Sequence, residues 1–163
     1  MAPFPLLESN AFEGALHVQH DGWTDPTQTT NAVAGAARAA GAEIARHTRV
    51  EGITRTPGGE WRVETDKGDI TTEVVINCAG FWGAEVSAMI GGHLPVLAIE
   101  HEYLVTDTVP ALAGLDRELP VLRDLSIPTY LRQEGDGLLV ACYENDTVFW
   151  GQGGIPRGFG QEL

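Results

Sequence analysis

The chain has 163 residues, of which 43% are hydrophobic and 20% are charged. These fractions are typical of a globular protein with a real core and exclude a disordered polypeptide as the default. The formal net charge is −13, from 10 basic and 23 acidic residues. This balance opposes binding to nucleic acid or to an anionic membrane, because both depend on Lys and Arg meeting phosphate.

The sequence shows no membrane-spanning segment and no signal peptide. Its apolar stretches are all shorter than the roughly 20 residues that a spanning helix needs. The first residues lack both the basic region and the apolar core of a secretory signal. We therefore expect a cytoplasmic protein, or a protein of the mitochondrial matrix if the source is eukaryotic.

No residues have the spacing of a metal site. His17 and His20 are three positions apart without a third ligand nearby, and we interpret them as a loop pair. Cys78 and Cys142 each lie in an apolar run. We expect both thiols to be buried and reduced.

The first predicted elements are a short strand from Gly14 to Val18 and a helix from about residue 27 to residue 40. Thr24 or Asp25 can cap this helix, Pro26 suits its first position and Gly41 can end it. Most of its side chains are small, so it could lie close against a sheet.

Strands dominate the next part of the chain. Residues 43–50 are predicted to form one strand, and three short strands at 51–56, 60–65 and 69–72 are separated by glycine turns. Such turns between alternating segments predict an antiparallel meander.

A continuous apolar run, Val74 to Cys78, predicts a strand that is buried on both faces. It ends at Ala79-Gly80, and a helix is predicted to begin between Gly80 and Gly83 and to end at Gly91-Gly92. A strand, a small turn and a helix start can seat a phosphate or a ring carbonyl. An ordinary strand-to-helix connection is the alternative.

The second half predicts an antiparallel sheet. Residues 94–106 form a long β-rich segment in which His101, Tyr103 and Val105 share a face. Residues 129–133 and 138–143 predict a hairpin. The glycine-rich tail from Phe149 to Leu163 shows no periodicity.

Several blocks, in this order, resemble the middle of the dimethylglycine and sarcosine dehydrogenases, which are FAD-dependent enzymes of the D-amino-acid-oxidase superfamily. The blocks are Phe4-Pro5-Leu6-Leu7, Asp21 to Pro26, Val75 to Trp82, His101 to Thr106, Leu119 to Asp124, Tyr130 to Leu139, Gly154 to Pro156 and Phe159 to Leu163. The resemblance implies an α/β (α+β) fold. Residues 1–92 would form part of a Rossmann-like FAD-binding domain whose crossover is the meander, and residues 93–163 part of an antiparallel substrate-domain sheet. The N-terminal lead could contact that sheet.

The resemblance also implies residues that contact FAD. Val50 matches a residue that touches the adenosine part, Trp82 matches a tryptophan beside the cofactor, and Ala79 and Gly80 form the turn of close approach, with Phe81 next to them. Without the resemblance, Trp82 would be interpreted as a core residue.

On the substrate side the resemblance implies a small N-methyl amino acid. Tyr103 is the first candidate for a catalytic and substrate-facing group, with His101 on the same strand face to orient the amine or accept its proton. Tyr130 and Arg132 share a face of the hairpin, and Arg132 could hold a carboxylate. The alternatives are a structural tyrosine at position 103 and a surface ion pair from Arg132 to Glu134 or Asp136.

The sequence departs from the family by lacking the Gly-x-Gly-x-x-Gly turn that holds the pyrophosphate. We therefore expect an internal fragment or one subunit of a split enzyme, with weak or no FAD binding by the chain alone. A missing FAD-domain segment is then the expected partner. The alternative is a catalytically inactive remnant or an interaction module without cofactor.

Overall fold

The computed structural model describes residues 4, 6–8, 10 and 12–155, so residues 156–163 of the predicted tail lie outside the described residues. The chain forms two compact units. One contains Met1–Ala32 and Glu100–Thr147, and the other contains Val33–Ile99 and Val148–Leu163. Both combine short helices with antiparallel strands, which confirms the predicted fold class. The division at residues 92 and 93 stays a prediction.

Helix α1 spans Pro26–Ala39 and begins and ends where its capping residues predict. The Asp25 carboxylate accepts a hydrogen bond of 2.7 Å from the Gln28 amide, as an N-cap does. Gly41 has a φ of +95°, a left-handed conformation that glycine adopts without strain. No residue of α1 is buried, so its small side chains do not press against a sheet in the described part of the chain.

The predicted meander is confirmed. Its strands are β1 (Val50–Arg55), β2 (Trp61–Thr65) and β3 (Ile70–Thr72), and they pair in that order with antiparallel registers. The separate strand predicted over residues 43–50 is wrong, since only its last residue belongs to a strand. His47 has a φ of +53°, which interrupts the extended backbone that a strand needs.

The buried strand predicted from Val74 to Cys78 is also wrong. Within the described residues this run has no hydrogen-bonded neighbour strand, and Val74 and Ile76 are 68% and 79% exposed. A strand exists only where a second strand satisfies its backbone groups, so an apolar run by itself does not make one. The helix after it is confirmed, as a 3-10 turn, Gly80–Trp82, followed by α2 (Gly83–Ala88).

The long segment predicted over residues 94–106 forms two short strands in different sheets. Strand β4 (Ala98–Ile99) pairs with β9 (Phe149–Trp150) in a two-stranded sheet. Strand β5 (Tyr103–Val105) joins a sheet in the other unit.

That second sheet has four antiparallel strands in the order β5-β8-β7-β6. The remaining members are β6 (Leu122–Asp124), β7 (Thr129–Glu134) and β8 (Gly137–Cys142). The predicted β7–β8 hairpin is confirmed. Its loop is Gly135-Asp136, and Gly135 has a φ of +57° at the first central position, as a type II′ turn requires.

One face of the four-stranded sheet packs on an apolar cluster. Phe4, Leu112 and Leu119 are its buried members, and Leu122 of β6 and Leu138 of β8 pack against it from the sheet. Leu112 belongs to a 3-10 turn, Pro110–Leu112. The opposite face carries Tyr103, Tyr130 and Arg132, with Leu139 and Ala141 buried between them at 8% and 1% exposed.

Three smaller features complete the comparison with the sequence. Residues 14–18 form no strand. Cys78 and Cys142 are both free thiols, but both are exposed, because the run ending at Cys78 has no neighbour strand and Cys142 is the last residue of β8. Among the described residues, no helix is long and apolar enough to cross a membrane.

Candidate functional site

The turn predicted to approach a cofactor is held by one side chain. The Asn77 side-chain oxygen accepts a hydrogen bond of 3.1 Å from the Ala79 amide, and its Nδ2 donates to the Gly83 carbonyl at 2.8 Å. Gly80 sits between these contacts with a φ of +57°, and no atom lies within 4 Å of the position that a Cβ would take. The backbone at Ala79-Gly80 is thus both fixed and open to a ligand.

An aromatic cluster follows the turn. The Phe81 ring centroid lies 4.0 Å from that of Trp82 and 5.4 Å from that of Trp150, which meets it edge-on. Phe81 and Trp150 line a groove of about 560 Å³ together with Val96, Leu97 and Phe149, among others. Most of the residues that line this groove are apolar or aromatic, and Glu85 and Gln152 add polar groups to it.

Val50, the other predicted cofactor contact, lies at the start of β1. It pairs with Thr65, and the register shifts between Val50 and Gly52, as at a β-bulge. The structure therefore brings four of the five predicted cofactor residues, Ala79 to Trp82, into one turn and places the fifth in the meander.

A second cluster lies in the unit that contains the four-stranded sheet. The His101 ring stacks on Tyr143 with centroids 4.6 Å apart and lies 6.5 Å from Tyr130. Tyr130 and Tyr143 are 5.8 Å apart. His101 Nδ1 lies 3.3 Å from Glu144 Oε2. We call His101, Tyr130, Tyr143 and Glu144 the ring cluster.

Tyr103 lies on the same sheet face as Tyr130. Both residues pair with Ala141 of β8, Tyr103 from β5 and Tyr130 from β7, and directly paired residues point to the same side of a sheet. Tyr103 is 66% exposed, whereas Ala141 is 1% exposed. The predicted catalytic and substrate residues Tyr103, His101 and Tyr130 thus belong to one region.

Arg132 is on this face too, but its guanidinium is already engaged. It forms an ion pair with Glu134, donates to the Gln133 carbonyl and lies over the Trp23 ring at 4.1 Å. The ion pair to Glu134 is the alternative that the sequence offered for this residue.

Hydrogen bonds lower the pKa of two carboxyl groups in this unit. Glu144 has a lowered pKa, first because its own backbone amide donates to the carboxylate and further because of the His101 ring. Asp124 has a lowered pKa because the Ser126 hydroxyl and amide both donate to it. Both groups are therefore carboxylates at neutral pH.

Sequence reasoning missed Tyr143, Glu144, Trp23, Trp150 and Asn77. Asn77 carried a usable signal, since Asn after an apolar run commonly folds back on the next turn. Tyr143 and Glu144 had none, because they meet His101 only through strand pairing. No group of three or more His, Cys, Asp or Glu in the described residues could hold a metal ion.

Two mitochondrial dehydrogenases are similar to this chain over nearly its whole length. Mouse mitochondrial dimethylglycine dehydrogenase (Mus musculus) is 43% identical over 98% of this chain, and human mitochondrial sarcosine dehydrogenase (Homo sapiens) is 36% identical over 96% of it. The chain spans 19% and 17% of the lengths of these relatives.

A solved structure also matches. The crystal structure of L-proline dehydrogenase from P.horikoshii superposes with a TM-score of 0.61 at 26% sequence identity, over 72% of this chain and 31% of that chain. The family model DAO, described as FAD dependent oxidoreductase, matches residues 1–161. The chain therefore belongs to the DAO family of FAD-dependent oxidoreductases, with the dimethylglycine and sarcosine dehydrogenases among its relatives.

Proposed function

We propose that this chain is part of an FAD-dependent enzyme that oxidises N-methylated amino acids of the dimethylglycine and sarcosine type. The observation that carries the proposal is the ring cluster, in which three aromatic rings gather beside the Glu144 carboxylate. Aromatic faces and a carboxylate attract a methylated ammonium ion. The names of the dehydrogenases to which the chain is similar support the same substrate class.

In this proposal the ring cluster binds the ammonium group and His101 takes its proton. The amine must lose that proton before hydride leaves the N-methyl carbon, since only a free lone pair stabilises the developing positive charge. When His101 carries its own proton on Nδ1, facing Glu144 Oε2, its Nε2 is free to accept the proton of the amine. The hydroxyls of Tyr103 and Tyr130 orient the substrate.

On the cofactor side, Ala79, Gly80, Phe81 and Trp82 would hold the flavin, and Val50 the adenosine part. When bound, FAD accepts the hydride that leaves the N-methyl carbon. The resulting imine reacts with water to give formaldehyde and the demethylated amine. Arg132 stays a candidate ligand for the substrate carboxylate. To bind it, Arg132 would have to break its ion pair with Glu134.

We propose that a further segment of the FAD domain completes the fold. The run Val74–Cys78 has exposed β-branched side chains and no neighbour strand among the described residues, and α1 buries none of its residues. Both are surfaces that a strand and its neighbours would cover. We therefore expect weak or no FAD binding and a tendency to associate when the chain is alone.

The proposed location is the cytoplasm, or the mitochondrial matrix in a eukaryote, and the names of two relatives include the word mitochondrial. The match to the FAD-dependent oxidoreductase family and the similarity to two dehydrogenases do not support an inactive remnant or interaction module.

A chimera tests the proposal. In mouse dimethylglycine dehydrogenase, this chain replaces the segment that it matches at 43% identity. We expect a yellow protein with flavin absorbance that reduces a dye when dimethylglycine is added. A folded, flavin-loaded chimera that is silent with dimethylglycine and sarcosine would overturn the proposed substrate class.

The proposed base is tested in the same chimera by His101→Asn. We expect flavin reduction to slow by about 10²–10⁴-fold. His93→Asn is the matched control, since His93 is exposed and lies in the other unit. Equal rates in the two variants would remove His101 from the proposed role.

A further inference from the structure

A second arginine lies on the face that carries the proposed substrate residues. Arg123 of β6 pairs with Tyr130 of β7, which pairs with Ala141 of β8, which pairs with Tyr103 of β5. These four residues form one row across the sheet and point to the same side. The Arg123 guanidinium carbon lies 5.7 Å from the centre of the Tyr130 ring.

Arg123 differs from Arg132 in having a free guanidinium. Among the described residues it forms no ion pair or side-chain hydrogen bond, whereas Arg132 is held by Glu134, by a carbonyl and by Trp23. The adjacent Asp124 does not compete for Arg123, because its carboxylate accepts bonds from the Ser126 amide and hydroxyl at 2.8 and 2.6 Å. Other arginines, such as Arg117, also lack an ion pair among the described residues, but Arg123 lies against an aromatic ring.

The two ends of this region carry opposite charges. Glu144, beside His101, is a carboxylate at one end, and Arg123 is a cation at the other. The Tyr130 ring lies near both, 6.5 Å from the His101 ring and 5.7 Å from Arg123. A small zwitterion, with an ammonium and a carboxylate a few bonds apart, matches this order of charges. Guanidinium also binds a carboxylate through two parallel hydrogen bonds.

We propose that Arg123 is the residue that binds the carboxylate of the amino acid substrate, with the ring cluster at its ammonium end. This assignment rests on the proposed function and makes Arg123 a specificity residue. It predicts that amino acids bind in preference to simple methylated amines, which have no carboxylate to bind.

Ligand binding to the 163-residue chain tests the assignment. N,N-dimethylglycine and N,N-dimethylethylamine, which has no carboxylate, are titrated while the tyrosine ring signals are followed by NMR. In Arg123→Gln we expect the dissociation constant of dimethylglycine to rise about tenfold or more, with that of the amine unchanged. Arg123→Lys should recover part of the loss, because it restores the charge without the planar fork.

Two further variants make the result specific. Arg117→Gln, at an exposed position in the same unit, makes the same charge change away from the row and should leave both constants unchanged. If Arg132→Gln alone weakens dimethylglycine selectively, the carboxylate belongs to Arg132 and the assignment to Arg123 is overturned. If Arg123→Gln weakens both ligands equally, the carboxylate role is overturned as well.

The wild-type chain separates failure of this assignment from failure of the proposed function. Binding of both ligands with equal affinity would overturn the role of Arg123 and leave the ring cluster as an amine site. Absence of binding for both, together with a chimera that does not oxidise dimethylglycine, would overturn the proposed function and the assignment with it.

Discussion

Two apolar runs of similar sequence fold differently in this protein, one into a buried strand and one into an exposed segment without strand pairing. Val74 to Cys78 and Leu138 to Cys142 are both five residues long, and both end in cysteine. The second run lies in β8, between β5 and β7, where Leu139 and Ala141 are 8% and 1% exposed. The first has no neighbour strand among the described residues, and its Val74 and Ile76 are exposed.

The difference shows that apolar side chains let a segment pack on one face. They do not provide the neighbouring strand that its backbone groups need. In the first run Val75 and Asn77 line a small pocket with Val86 and Ile90, so one side of the segment faces α2 and the residues after it. Its backbone groups, however, lack the ladder that β8 has on both sides. If a strand paired with Val74–Cys78, this run would therefore become a hydrogen-bonded strand like β8.

Hydrogen exchange should show the largest contrast between the runs. The β8 amides lie between two paired strands, whereas the amides of residues 74–78 have no ladder partner among the described residues. We expect β8 amides to exchange on the order of 10³-fold more slowly or beyond, as measured by NMR or mass spectrometry at neutral pH. Equal protection in both runs would mean that residues 74–78 already have a strand partner.

Truncating one buried and one exposed side chain gives the next largest effect. Leu139→Ala should lower the free energy of unfolding by about 2–4 kcal/mol, because it leaves a cavity in the sheet. Ile76→Ala should change it by less than about 0.5 kcal/mol. Urea unfolding of both variants measures the difference, and similar losses would contradict it.

Gly137, the first residue of β8, tests how tightly this strand is packed. A Cβ at Gly137 would lie 2.6 Å from the Thr106 carbonyl oxygen and 3.0 Å from that of Asp107. Gly137→Ala should therefore push the end of β5 away and cost about 1–3 kcal/mol. The control is Gly35→Ala in α1, where the space is open. It should stabilise the chain by about 0.5–1 kcal/mol, and a thermal melt of each variant checks both signs.

Acid titration gives the smallest effect and reports on the sheet that contains β8. The pKa of Asp124 is lowered by its bonds to Ser126. A lowered pKa in the folded state stabilises the protein above the ordinary value of 3.8, and this contribution is lost as the pH falls through the lower, folded value.

Asp124→Asn should therefore lose stability less steeply below about pH 4 than the wild type, as followed by circular dichroism. Asp116→Asn, at an exposed position in the same unit, is the control. If Asp124→Asn loses stability below about pH 4 as steeply as the wild type, the hydrogen bonds from Ser126 to Asp124 do not persist in solution.

Local signals allowed much of the fold to be predicted. The α1 helix, the meander and the β7–β8 hairpin each follow from caps or turns within a few residues of one another. The sequence also predicted His101, Tyr103 and Tyr130 as candidates for one region, and strand pairing and ring contacts bring them together. Tyr143 and Glu144 could not be predicted, since they reach His101 from 42 and 43 positions along the chain.

The sequence by itself determined the family, the helix and turn positions and the chemical types available, because these depend on neighbouring residues or on matching blocks. Only the tertiary structure decided which apolar run is a strand, that both cysteines are exposed, and that Arg132 rather than Arg123 is held in an ion pair. The physical reason is that strand pairing, burial and ion pairing each need a second partner. That partner is supplied by residues distant in the chain, and for Val74–Cys78 no described residue supplies it.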